Sequence, residues 1–290
     1  MPDSPQRTGV THRISRQGGR LLGYTGMILV AVLIGIPIYW MLTGSVKTNQ
    51  QINTYPPIWI PTDPQWSNYR DAWNLAPFDR FYINSIITTL FGSGLELINA
   101  TLSAYALVFL RFPKKNLIFI LLLAALMIPN QVTIIPNYLT MADVFGRSWI
   151  NTYQGIILPG ISVAFGTFLL RQAFMSLPRE VIDAARVDGA GHLRLLWQIV
   201  IPMARPVLIT FALISLVAKW NDYLWPLIVT NQDRMRTLAV GISYLYNPET
   251  VTRWGPMMAA TFFVMAPILV IYLWIQRHII EGITAGATKS

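Results

Sequence analysis

Long stretches without charge are the feature that most limits what this chain can fold into. Four stretches contain no Asp, Glu, Lys or Arg: residues 21–46, 116–142, 148–170 and 254–276. Each is longer than the roughly 20 apolar residues that cross a bilayer as one helix. Charged residues make up 12% of the 290 residues, about half of the share usual in soluble domains. We therefore predict a polytopic membrane protein, not a soluble globular one.

Two further apolar segments carry isolated charges. Residues 81–110 are interrupted only by Glu96, and the segment after Arg205 contains Lys219 and Asp222. Together with the four uncharged stretches they predict an all-α fold with six transmembrane helices. We place a transmembrane domain at residues 21–280, with spans at 21–46, 81–110, 116–141, 149–172, 204–229 and 254–277.

The distribution of positive charge predicts the orientation. If the N-tail (residues 1–20) lies inside the cell, the inner segments hold 14 of the 22 Lys and Arg residues. By the positive-inside rule both termini are then cytoplasmic, including the C-tail of residues 281–290. This topology accounts for the net charge of +9, so we expect no nucleic-acid partner. The chain contains no cysteine, which excludes disulfides and thiol chemistry.

The polar loop of residues 173–203 carries the most specific motif. Asp183 with two following alanines, then Gly189, Ile199 and Pro202, has a spacing that resembles the cytoplasmic "EAA" loop of ABC-importer permeases. The run LPREVIDAARVDGA is similar to the version found in the carbohydrate-uptake subfamily. One departure is that Asp183 stands where the motif usually has Glu. The resemblance implies the MetI-like fold of type I ABC importers.

In that family the loop couples an ATPase subunit to the transmembrane helices, and the resemblance implies the same role here. The coupling residues that it implies are Glu180, Asp183, Ala184, Ala185, Asp188, Gly189, Ile199 and Pro202. Two small alanines would let a helix dock closely on the ATPase, and Gly189 would permit a sharp turn. The implied partners are a second homologous permease, an ATPase dimer and an extracytoplasmic solute-binding protein, in the lipid bilayer of the cell membrane.

Other segments extend the resemblance over most of the chain from Phe81 on. WNDYLWPL (220–227) and RMRTLAVGISYLY (234–246) resemble the fifth span and the outer loop of sugar-type permeases. RFPKKN and IPNQVTIIPNY bring the chain closest to glycerol-3-phosphate or glycerophosphodiester uptake permeases. A sugar, a sugar polymer, a glycerol phosphate and a glycerophosphodiester all remain open as the solute.

The outer loop has two interpretations. Its polar character is typical of a solvated connector. The resemblance implies instead that it reaches the solute-binding protein, and the residues that would make this contact are Arg234, Arg236, Tyr244 and Tyr246.

Charged side chains inside the spans are candidates for the translocation path, because Asp, Lys or Arg costs roughly 2.5–3.5 kcal/mol at the centre of a membrane helix. Glu96 either lines the path or hydrogen-bonds a neighbouring helix, for example through Asn130. Asn221 and Asp222 are further path candidates. Lys219 and Asp222 can instead form a structural pair with each other at the i, i+3 spacing.

Prolines in the third span predict irregular backbone at membrane depth. Pro129 and Pro136 each lack an N–H donor and interrupt regular helical hydrogen bonding. Such backbone is tolerated where protein or a water-filled cavity covers it. We therefore expect Asn130 and Gln131, beside the first proline, to face the translocation path.

Motifs for catalysis are missing from the sequence. It has no Gly-x4-Gly-Lys-Ser/Thr phosphate loop, so we expect ATP and Mg²⁺ on a partner subunit and no cofactor in this chain. The three histidines are far apart, and we expect no metal site and no catalytic residue. The predicted function is the permease subunit of an ATP-driven importer. An ion-gradient-driven transporter or channel is the alternative, and a membrane enzyme or scaffold would leave the loop motif unexplained.

Overall fold

A computed structural model describes residues 9–162, 164–245 and 253–287. Regular secondary structure in these residues is helical throughout. The α-helices are α1 Gly9–Gly44, α2 Asn49–Asn53, α3 Ser67–Asn74, α4 Phe78–Phe109, α5 Lys115–Ala125, α6 Asn130–Ala142, α7 Tyr153–Ile157, α8 Ala164–Met175, α9 Arg179–Val187, α10 His192–Leu195, α11 Ile201–Met203, α12 Arg205–Trp220, α13 Leu224–Val229, α14 Leu238–Gly241 and α15 Trp254–Ala287. Short 3-10 turns lie at Leu158–Gly160, Asp233–Met235 and Ile242–Leu245, and a π-helical turn lies at Leu196–Val200.

Three helices in the described part of the chain are long and apolar enough to cross a membrane: Leu22–Gly44 within α1, α4, and Trp254–Leu273 within α15. Three further candidates are pairs of helices joined at a bend: α5 with α6, Tyr153–Gly160 with α8, and His192–Met203 with α12. The fold therefore contains three to six candidate spans, depending on whether each bent pair crosses as one.

The predicted kink in the third span is a complete break. Helix α5 ends at Ala125, α6 begins at Asn130, and the two are bent by 100°. Pro129 occupies the N-cap position of α6 in an extended conformation, where its missing N–H costs nothing. Pro136 lies inside α6 without ending it. Only one of the two prolines therefore redirects the chain.

The described residues divide into two compact units, one within 1–72 and 248–262 and the other within 73–247 and 263–290. In the first unit, Asn68 ties the end of α1 to the following chain. Its buried amide donates to the carbonyls of Ser45 and Lys47 at 3.0 and 2.9 Å. The Lys47 side chain is itself buried, with its ammonium 4.3 Å from the centre of the Trp40 ring. Burial lowers the pKa of Lys47.

The second unit is built around α4, which packs mainly against α8 and α12. Ala100 and Ala104 are fully buried on α4, and small residues let membrane helices approach closely. Gly166 on α8 serves the same purpose, since a Cβ there would collide with the ring of Phe211 on α12. These three helices support the two features described next, the loop of residues 173–203 and a cavity.

Candidate coupling loop and cavity

Helix α9 presents two opposite faces. Ile182 and Ala185 are buried in a cluster with residues of α4, α8 and α12. The other face consists of exposed residues at the i, i+3, i+4 and i+7 positions, one side of a helix. We call this the docking face, and its members are Glu180, Asp183, Ala184 and Val187. Val187 is 87% exposed, so the face combines two acids with an uncovered apolar residue.

Ala185 is not part of the docking face, although both alanines of the motif were expected to meet a partner. Its side chain is 8% exposed and packs into the chain's own core. Successive residues of an α-helix point about 100° apart, so Ala184 and Ala185 cannot both project to the same side. Ala184 alone is available to another protein.

The turn after α9 depends on glycine. Gly189 has φ +81°, a left-handed conformation that costs other residues roughly 1–2 kcal/mol. Its N–H donates to the Arg186 carbonyl at 3.0 Å, and the Ala190 N–H donates to the Ala185 carbonyl at 2.9 Å. This is the Schellman pattern of helix termination. Gly189 therefore ends the helix as the motif predicts, just after the exposed Asp188.

The second half of the loop, residues 192–203, packs against the core. Leu195 and Leu196 belong to the buried cluster and Ile199 packs against it, so this stretch turns one apolar face to the core. Pro202 is exposed near the end of α11. A hydrogen bond of 3.0 Å joins the Tyr105 hydroxyl on α4 to His192 Nδ1 on α10. The loop thus has a direct polar link to the central helix of the bundle.

A cavity of about 760 Å³ lies among α4, α6, α12 and their neighbours in the second unit. Four of the five residues proposed for the translocation path line it: Glu96, Asn130, Gln131 and Asp222. Asn221 is not among the lining residues, and its amide donates to the Val217 carbonyl of its own helix. The break before Asn130 therefore places amide side chains on a cavity wall, as the proline pattern indicates.

Glu96 has partners that its own sequence neighbourhood does not reveal. Ser215 donates to its Oε2 at 2.7 Å, and Lys219 Nζ lies 3.4 Å from the same oxygen. The expected partner Asn130 is not the one that the carboxylate uses. Lys219 forms its ion pair with Glu96, not the proposed pair with Asp222. Sequence spacing cannot reveal a pair between α4 and α12, because helical periodicity reports only neighbours on the same helix.

The predicted outer loop covers residues 231–253, and its first part is fixed to α4. The Asn84 amide donates to the carbonyls of Arg234 and Arg236 at 3.0 and 2.8 Å, and the Leu238 N–H donates to Ser85 Oγ at 2.7 Å. These bonds hold the backbone of the loop. It is therefore an anchored element, which a freely solvated connector would not be.

Two arginines proposed for the binding-protein contact differ in accessibility. Arg234 is exposed, and its guanidinium donates to Gln232 at 2.7 Å. Arg236 is half-buried, 3.9 Å from Asp233. Tyr246 lies outside the described residues, as does the side chain of Tyr244.

Comparison with known proteins connects this chain to transport. Residues 97–284 match the family described as "Binding-protein-dependent transport system inner membrane component". The sn-glycerol-3-phosphate transport system permease protein UgpE of Yersinia enterocolitica is 33% identical over 93% of this chain and 97% of its own length. The protein of the same name from Brucella abortus is 30% identical over 92% and 97%.

A solved structure shares the fold. A bacterial ABC transporter involved in the import of the acidic polysaccharide alginate superimposes with a TM-score of 0.75, at 24% identity, over 94% of this chain and 99% of the other. The matched family region contains the docking face, the Gly189 turn and most of the cavity wall. The family match favours an ATP-driven importer over an ion-gradient-driven transporter or channel. The chain belongs to the inner-membrane components of binding-protein-dependent transport systems and is a permease subunit of an ABC importer.

Proposed function

We propose that this permease translocates a sugar or glycerol-phosphate-type solute that an extracytoplasmic binding protein delivers. The named transport of sn-glycerol-3-phosphate by its relatives supports this solute class. Three amide side chains on the cavity wall, Asn130, Gln131 and Asn137, also support it, since amides hydrogen-bond hydroxylated solutes. The complete importer would contain this chain, a second homologous permease and two ATPase subunits. ATP and Mg²⁺ would be bound by the ATPase subunits.

The observation that carries the proposal is the division of α9 into a buried face and a docking face. The buried residues Ile182 and Ala185 join the helix to α4 and α8. The chain itself leaves the docking face uncovered, with Val187 at 87% exposure, so this face is accessible to another subunit. A helix held on one side by the transmembrane core and on the other by an ATPase moves both together.

The resemblance to ABC importers implies the transport cycle that we propose. ATP binding closes the ATPase dimer and moves the loop around the docking face, so that the spans change from inward-facing to outward-facing. Hydrolysis and product release return the spans to the inward-facing state. The outer loop, through Arg234, Arg236, Tyr244 and Tyr246, would contact the binding protein and promote release of its solute.

Uptake measurements on the assembled importer in proteoliposomes test the proposed function. The solutes are radiolabelled sn-glycerol 3-phosphate, a glycerophosphodiester and maltose, each with the cognate binding protein. We expect uptake of at least one of them that requires ATP and persists after a protonophore dissipates the proton gradient. Uptake that needs the gradient and ignores ATP would contradict the proposal.

We further propose that all six candidate spans cross the membrane, with both termini and the docking face in the cytoplasm. The absence of cysteine from the chain makes this directly testable, because each introduced cysteine is unique. Phe145, in the exposed turn after α6, and Leu193, in the coupling loop, both have accessible side chains. A membrane-impermeant maleimide should label Phe145→Cys in intact cells and label Leu193→Cys only after permeabilisation. Equal labelling of both variants in intact cells would overturn the topology.

A further inference from the structure

One lysine joins three elements that line the cavity. Lys219 Nζ, on α12, donates to the Gly160 carbonyl at 2.7 Å and lies 3.4 Å from Glu96 Oε2 on α4. Gly160 ends the 3-10 turn Leu158–Gly160. Ser215, one helical turn before Lys219, donates to the same carboxylate oxygen at 2.7 Å. The shortest polar contact of the ammonium is therefore with the turn, and the carboxylate takes its shortest contact from Ser215.

Two glycines leave the space in which the lysine side chain runs. A Cβ at Gly160 would lie 2.5 Å from Lys219 Nζ, much closer than real contacts allow. A Cβ at Gly92, on α4, would lie 3.6 Å from Lys219 Cδ, an ordinary van der Waals distance. The approach of the ammonium to the turn thus depends on the missing side chain of Gly160. It does not depend in the same way on Gly92.

The position of the Gly160 carbonyl within the membrane explains why a charged side chain donates to it. Carbonyls at the end of a helical turn have no partner within that turn. In the bilayer no water is available, so another group of the protein must donate to them. An ammonium meets this need, but an isolated one is costly at membrane depth. Glu96, whose side chain is 6% exposed against 21% for Lys219, supplies the opposite charge from behind the lysine. The carbonyl and the carboxylate together hold the cation in one place.

We propose that Lys219 is a positioning residue of the transport cycle: by holding the Gly160 carbonyl, it carries movement of the coupling loop to the turn that forms part of the cavity wall, with Glu96 as its counter-ion. Helix α12 begins at Arg205, directly after the coupling loop, and is bent by 82° from His192–Met203. Displacement of the loop can therefore pass directly along the chain into α12. The inference rests on the proposed function, because only movement imposed by the ATPase needs to be carried in this way.

Gly160→Ala is the sharpest variant, because it removes no charge and no polar group. The added methyl displaces the flexible end of Lys219 from the carbonyl, so we expect folding and assembly to persist. In the reconstituted importer, solute transported per ATP hydrolysed should fall by about tenfold, equivalent to ~1.4 kcal/mol. Gly92→Ala adds the same methyl beside the same side chain at an ordinary distance and serves as the matched control. It should keep the wild-type ratio.

A second set of variants separates positioning from simple charge balance. Lys219→Met leaves the Glu96 carboxylate without its counter-ion and should lower both the melting temperature of the importer and the transport ratio. Adding Glu96→Gln removes the unpaired charge, so the double variant should regain most of the melting temperature. The transport ratio should remain low in the double variant, because the Gly160 carbonyl still lacks its donor.

Different results would overturn the role of Lys219 and the proposed function. A wild-type transport ratio in Gly160→Ala, or in the Glu96→Gln/Lys219→Met double variant, would overturn the role of Lys219 and leave the importer assignment intact. Loss of ATP dependence in the wild-type importer itself would overturn the proposed function and this inference with it. The solute in every assay is the member of the test panel that the wild-type importer takes up.

Discussion

Replacing Gly189 by valine is expected to uncouple ATP hydrolysis from solute uptake. Gly189 adopts φ +81° and closes the hydrogen bonds that end α9. This conformation costs non-glycine residues roughly 1–2 kcal/mol, and a β-branched residue at least as much. The end of α9 should then unwind and the docking face should lose its fixed position. We expect ATP-driven uptake to fall by about tenfold or more, since ~1.4 kcal/mol corresponds to tenfold, while basal ATP hydrolysis continues.

Gly191 provides the control for this experiment. It lies two residues away at φ −69° as the N-cap of α10, with open space around its Cα. Serine suits an N-cap in this conformation, so Gly191→Ser should transport at the wild-type rate. Uptake and phosphate release measured in the same proteoliposomes give the amount of solute transported per ATP hydrolysed for both variants. Normal coupling in Gly189→Val would show that the turn does not transmit the ATPase movement.

A glutamate at Val187 is expected to prevent the ATPase subunit from docking. Val187 is 87% exposed, so the substitution should leave the fold of the permease unchanged. The neighbouring Arg186 is already 3.4 Å from Asp183, so in the assembled importer the new carboxylate would be buried without a partner of its own. Such a charge typically costs about 2–5 kcal/mol, which corresponds to a loss of affinity of about 30-fold or more.

Co-purification with the ATPase, followed by a titration of its affinity, measures the effect. Phe145→Glu is the matched control, because it places the same charge on a fully exposed apolar residue of the turn after α6. It should bind the ATPase as the wild type does. Undiminished binding by Val187→Glu would show that the ATPase docks elsewhere, and weakened binding by both variants would indicate a general effect of charge.

Local features of this protein were accessible from its sequence. The helix end at Gly189 and the apolar face of Leu195, Leu196 and Ile199 follow from glycine geometry and helical periodicity. The break at Pro129 follows from the missing N–H of proline. Each of these depends on residues close to one another in the chain, where spacing determines geometry.

Features that depend on how helices pack were not accessible. The pairing of Glu96 with Lys219 joins α4 to α12, and no spacing rule connects residues so far apart. The burial of Ala185 could not be predicted either, because the motif gives the identity of its two alanines but not the rotation of α9 about its axis. That rotation is set by the buried cluster that receives Ile182.

The π-helical turn Leu196–Val200 bears on how insertions and deletions in the coupling loop can be accommodated. A π turn holds about one residue more than an α turn over a similar rise, and it occurs mostly as a single bulge within a helix. A homologous loop with one residue fewer here can therefore wind as an ordinary α-helix while the flanking α10 and α11 keep their phase. A one-residue gap in an alignment at this point would represent a change of local winding, with the docking face and α12 left in register.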